Sequence, residues 1–178
     1  TVLPQEMEQH TYAIMNRVED SHWWFVGRRA ILESFMRGIV GAIAKPKDEI
    51  RILDVGCGTG ANLEMLAQFG SSEGVDVSDD ALEFCRAKGL KVHKGLAEKL
   101  PFDDESFEVV TALDVVEHLD DDVAGLSEMR RVLKAGGKTL IFVPAFMWLW
   151  GVQDDISNHR IRYTKKQITE RLEKAGFT

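Results

Sequence analysis

The run Ile52-Leu53-Asp54-Val55-Gly56-Cys57-Gly58-Thr59-Gly60 limits what this chain can fold into more than any other stretch. A short apolar segment ends around an acid, three glycines follow at alternate positions, and a helical pattern (Ala61, Leu63, Leu66, Ala67) begins at once. That order reads as strand, tight turn and helix N-terminus, the opening of a βα unit with a nucleotide pocket at its turn. Glycine suits such a turn because it tolerates positive φ and lets a ligand approach the backbone closely. The spacing narrows the ligand. A dinucleotide loop reads G-x-G-x-x-G, whereas Gly56, Gly58 and Gly60 read G-x-G-x-G, with Asp54 two residues ahead.

The 178 residues fit one domain, and 44% hydrophobic with 29% charged residues is an ordinary balance for a globular chain. A formal net charge of −7 argues against general nucleic-acid binding, whose surfaces are basic. Cys57 and Cys85 show no metal-ligand spacing and imply a reduced, cytoplasmic setting. No apolar run approaches the roughly 18 residues of a spanning helix. Val143 to Val152 is too short and contains Pro144, so no membrane span is expected, nor a signal peptide.

Helical spacing predicts a helix over 6–18 and a second from about Arg28 to Ala44. Between them stands Ser21-His22-Trp23-Trp24-Phe25, read either as a hydrophobic plug or as an aromatic face such as Trp24 closing over a cationic ligand. Arg28 or Arg29, the latter preferred, is a candidate to hold a ligand carboxylate. Strands are expected over 50–55, 74–78, 91–94, 107–114 and 139–143, with helices between them. The helix after the glycine turn should end at Gly70 as a left-handed cap. Asp76 closes the second strand 20 residues after Gly56, where an acid accepts ribose hydroxyls. Asp79 or Asp80 then caps the next helix and leaves Asp76 free. Thr164, with Gln167, caps a last helix.

The glycine turn with Asp76, Gly95-Leu96-Ala97-Glu98-Lys99-Leu100-Pro101-Phe102, Phe107 to Leu119 with its Glu117-His118-Leu119, and Leu133-Lys134-Ala135-Gly136-Gly137 together resemble the class I S-adenosylmethionine (SAM) methyltransferases of the small-molecule type. The resemblance covers residues 50–143 in family order. It implies a Rossmann-like, doubly wound, mostly parallel α/β sheet in one domain, 1–178, with 1–45 as a helical lid and 144–164 as a substrate-side insert. The family's sixth and seventh strands have no residues here. The fifth strand is therefore expected as an open edge, and a homodimer is a candidate assembly.

The resemblance further implies SAM as cofactor, S-adenosylhomocysteine as product and an unidentified small-molecule acceptor. The implied cofactor-binding residues are Asp54, Gly56, Cys57, Gly58, Gly60, Asp76, Val77, Leu96, Ala97 and Leu113, with Trp24 and Arg29 from the lid. The family's adenine-binding acid is replaced by Leu96. Candidate catalytic residues are His118, as general base or as a shaper of the pocket, and His159 and Tyr163 of the insert, which with Arg162 either meet the acceptor or brace the loop. No metal cluster is expected. Two other classes stay open: a non-catalytic SAM-binding relative and an NAD-dependent oxidoreductase, the latter disfavoured by the glycine spacing.

Overall fold

The computed structural model describes residues 9–178, with side chains from Tyr12 onward. The start of the expected first helix, with Met7, lies outside the described residues. Five strands, β1 (Arg51–Val55), β2 (Ser71–Asp76), β3 (Val92–Lys94), β4 (Phe107–Leu113) and β5 (Leu133–Phe142), form one sheet in the order β3-β2-β1-β4-β5. Every neighbouring pair is parallel. The helices are α1 (Gln9–Val18), α2 (Trp23–Gly41), α3 (Ala61–Leu66), α4 (Asp79–Ala87), α5 (Asp122–Val132), α6 (Val152–Ile156) and α7 (Lys165–Lys174).

The two-residue period of β1 explains the layers. Ile50 and Ile52 join Leu32 and Met36 of α2, Met65 and Leu66 of α3, and Val109 of β4 in one apolar cluster. Leu53 and Val55 point the other way, to Val110, Ala112, and Leu126, Met129 and Val132 of α5. Both faces are covered, the arrangement that parallel strands require. Burying one such side chain contributes roughly 1.5–3 kcal/mol.

Several expected boundaries move, for identifiable reasons. The aromatic segment is helical: His22 caps α2, its ring accepting from Trp24 N, so Trp23 and Trp24 form the first turn. Gly70 is not a left-handed cap, because α3 ends at Leu66. It is a point of close approach, where an added Cβ would lie 2.4 Å from the Ile50 carbonyl oxygen. β2 starts at Ser71 and stops at Asp76, and Ser78 caps α4 by accepting from Ala81 N. Asp79 instead pairs with Lys94. β5 begins at Leu133, beside Phe107 across an irregularity between Phe107 and Val109. It is the last strand of the sheet on its side among the described residues. The Thr164–Gln167 capping box forms as expected.

Buried acids toward the amino end of the sheet are paired. Glu108 accepts from Lys45 Nζ at 2.7 Å, Lys134 Nζ at 2.7 Å and Arg51 N at 3.0 Å. Burial pushes its carboxyl up, but those hydrogen bonds outweigh burial and hold it down at about 2. At the opposite end the pattern reverses.

Candidate functional site

The chain runs β1, β2, β3 outward to one side and resumes at β4 on the other, so the topological switch lies between β1 and β4. In open α/β sheets that crevice, at the carboxyl ends of the strands, receives ligands. The glycine turn follows β1 there, and Asp114 to Leu119 follows β4.

All three glycines of the turn adopt positive φ, +69° at Gly56, +53° at Gly58 and +94° at Gly60. Gly56 N and Cys57 N donate to Val75 O at 2.8 and 3.1 Å, which ties the turn to β2. An added Cβ at Gly56 would lie 2.4 Å from Val115, and one at Gly60 2.5 Å from Leu90, while one at Gly58 would meet open space. The outer glycines therefore permit packing, and the middle one exposes bare backbone. Asp76 is not free, as the sequence suggested. Its carboxylate accepts from Gly58 N at 2.9 Å and Ser78 N at 3.0 Å, and from the Val77 N–H. Burial pushes its carboxyl up further than these bonds pull it down. A carboxylate has about four acceptor sites, so capacity remains for a ligand hydroxyl.

Beside the turn sits a group of buried charges that lacks the pairing seen at the amino end. Asp54 is 1% exposed; one oxygen accepts from Thr111 Oγ1 at 2.6 Å and the other has no partner among the described residues. Burial pushes it up to about 7, against the Thr111 hydrogen bond and the nearby Arg28 charge. Arg28 meets Asp114 at 2.5 Å, lies over the Phe142 ring at 5.2 Å, and leaves its buried Nε without a partner among the described residues. Glu117 is fully buried with no partner for either carboxyl oxygen among the described residues, and burial with the neighbouring Asp114 pushes it up to about 8. Uncompensated buried charge of this kind is costly for folding and concentrates at functional sites.

The insert reaches the same place. Asp154 of α6 is 0% exposed and accepts from Arg162 Nε at 2.8 Å and Nη2 at 2.9 Å. It also fixes His159, whose Nδ1 lies 2.8 Å from Asp154 Oδ1 and whose Nε2 lies 3.9 Å from Glu117 Oε1. The His118 and His159 rings meet edge to face at 4.8 Å. Burial and the neighbouring His159 push His118 down to about 4, although the ring is hydrogen-bonded to the backbone of Asn158. Arg162 is thus a brace. Tyr163 is 2% exposed, and its hydroxyl donates to Asp122 Oδ2 at 3.0 Å under α5 and α7, so it too packs the insert down. Sequence spacing gives no hint of the Glu117–His118–His159 grouping, since His159 lies 41 residues beyond His118.

The remaining candidates separate. Leu113 ends β4 and is buried, and Val77 follows Asp76. Leu96 bridges to Lys99 in a turn, and Ala97 is buried in the main core. Arg28, Leu32 and Met36 share the inner stripe of α2 at four-residue spacing, which turns Arg29 away. Arg29 lies 3.8 Å from Asp20 and lines a separate open groove of about 360 Å³ with Glu33, Glu64 and Gln68. Trp24 is half-exposed, its ring edge to face on Trp23. The sequence also gave no sign of Glu19, a buried acid that accepts from Thr59 Oγ1 at 2.6 Å and ties the segment between α1 and α2 to the glycine turn.

Comparison with known proteins agrees with this geometry. A family model described as a methyltransferase domain matches residues 53–141. A demethylmenaquinone methyltransferase of Chlorobaculum parvum is 40% identical over 100 residues, covering 54% of this chain and 42% of that protein. A ubiquinone/menaquinone biosynthesis C-methyltransferase of a Geobacter species is 36% identical over 103 residues, 51% of this chain and 44% of that one. The chain thus spans about two-fifths of the length of these relatives. Among solved structures, a SAM-dependent methyltransferase of Thermotoga maritima, titled a possible histamine N-methyltransferase, superposes with a TM-score of 0.65 at 28% identity. The match covers 95% of this chain and 82% of that one. On that match and that sheet order, the chain belongs to the class I SAM-dependent methyltransferase family.

Proposed function

We propose that the chain binds SAM in the crevice between the glycine turn and Asp114 to Leu119, and transfers its methyl group to a small acceptor with an apolar body. The observation that carries this reading is the bare backbone at Gly58 beside Asp76, at the switch point of the sheet. The residues fit the cofactor. Asp76 would take a ribose hydroxyl, the glycine turn would pass beneath the nucleoside, and Arg28 is placed to meet the carboxylate of the amino-acid end. Leu96 offers no side-chain acceptor for adenine, which leaves that contact to the backbone.

SAM supplies a methyl carbon on positive sulfur; in-line displacement breaks that carbon–sulfur bond, forms the bond to the acceptor, and the acceptor loses its own proton. The protein's part is alignment and exclusion of water. His118, held neutral but pushed down to about 4 by burial, is a weak proton acceptor, and orienting the acceptor suits it better than acting as a base.

The acceptor class rests on two supports. Relatives named for quinone methylation match the chain. The insert also presents Phe146, Met147, Trp148 and Leu149 to solvent, 44 to 78% exposed, a surface suited to an apolar molecule. Radiolabelled SAM supplied with a reduced demethylnaphthoquinone or with histamine tests the proposal. Label is expected in the extracted quinol. Label in the amine alone overturns the acceptor class, and label in neither overturns the transfer.

A further inference from the structure

Glu117, His118 and His159 place one ligand atom each so that all three lie within 4.8 Å of one another. The grouping joins the segment after β4 to the insert, two stretches brought together only by the fold. Two features distinguish it from an incidental polar cluster. Glu117 is fully buried, with no side-chain hydrogen-bond partner among the described residues, so a carboxyl faces the group uncommitted. Each imidazole is held through hydrogen bonding outside the group: His159 Nδ1 lies 2.8 Å from the buried carboxylate of Asp154, and the His118 ring is bonded to the backbone of Asn158. A neutral imidazole donating from one nitrogen presents a lone pair on the other. That outer carboxylate–histidine pairing orients metal-binding histidines and fixes their tautomer.

We infer that Glu117, His118 and His159 hold a divalent transition-metal ion, with Asp154 as a positioning residue for His159. Two nitrogens and one oxygen suit a borderline ion of the zinc type, with a fourth position left for an external oxygen. Tetrahedral ligands at Zn–N distances near 2.1 Å stand about 3.4 Å apart, so binding draws the three side chains together. The ion would neutralise the buried Glu117 carboxylate and hold an acceptor hydroxyl beside the transferred methyl. This last role rests on the methyl-transfer reading; the binding of the ion does not.

The test uses the whole chain, stripped with chelator and titrated with Zn²⁺ by calorimetry without SAM, and with Co²⁺ followed by visible absorption. One ion per chain and an intense tetrahedral-type Co²⁺ band are expected. Glu117→Gln, which keeps the side-chain shape and removes the carboxyl, should fold and lose the stoichiometric site, as should His159→Gln. Asp154→Asn should weaken it by about 10–100-fold and alter the band. Absence of saturable binding overturns the inference, as does binding that Glu117→Gln and His159→Gln, both shown folded by circular dichroism, leave unchanged. Either result leaves methyl transfer to its own assay.

Discussion

Replacing Asp76 with alanine lowers the affinity for SAM by about 10–100-fold. A hydrogen bond to a charged group contributes about 1.5–3 kcal/mol, so one ribose hydroxyl on the acceptor site that Gly58, Ser78 and Val77 leave open accounts for about one to two decades in Kd. The substitution also strips the acceptor from Gly58 N and Ser78 N, the bonds that hold the middle of the glycine turn and the entry to α4. Asp76→Asn retains an acceptor oxygen and should fall between wild type and Asp76→Ala. Calorimetric titration of the three folded proteins measures this series. Equal affinity in all three removes Asp76 from the cofactor site.

Asp54→Asn raises the stability of the fold above neutral pH. Burial pushes the Asp54 carboxyl from its ordinary 3.8 to about 7. The folded chain then binds more protons than the unfolded chain between those values, and stability falls as pH rises through that window. Above pH 7 the ionised group carries its full cost, of the order of 2–4 kcal/mol. Asparagine removes that cost and still accepts from Thr111 Oγ1 through its carbonyl oxygen. Thermal unfolding should show the variant more stable at pH 8, by roughly 5–10 °C in Tm, with the difference closing near pH 4. Its SAM affinity should drop, since Asp54 stands two residues ahead of the turn. A variant less stable than wild type at pH 8 contradicts the reading of Asp54 as stored electrostatic strain.

Local pattern made the scaffold legible. The glycine spacing, the alternation at Ile50 to Val55 and the Thr164–Gln167 box are short-range signals, and each appears in the fold with small boundary shifts. Caps were harder to read. Ser78 competes with Asp79 and Asp80 for the start of α4, and the extended backbone at Ser78 together with the strand end at Asp76 decides it. The meeting of the glycine turn with Asp76 was readable for the same reason as the scaffold, because the two lie at fixed distances along the chain.

Contacts between distant segments were not legible, because nothing along the chain links the partners. Glu117 to His159, Glu19 to Thr59 and Arg28 to Asp114 are pairings that only tertiary packing creates. The choice between Arg28 and Arg29 turns on which lies in the Leu32–Met36 stripe of α2. The exposed phenylalanine and tryptophan at 146–150 gave an apolar signal without a direction. Tyr163 and Arg162, which the sequence offers as acceptor contacts or as braces of the loop, hydrogen-bond to Asp122 and Asp154 in the fold.

Calorimetric titration of the unmodified chain with S-adenosylhomocysteine, run beside NADH, bears most directly on the claim that bare backbone at Gly58 and the carboxylate of Asp76 cradle a sulfur nucleoside. Saturable binding of S-adenosylhomocysteine at one molecule per chain, with no heat from NADH, is the predicted result. Binding of NADH, or of neither molecule, would contradict it.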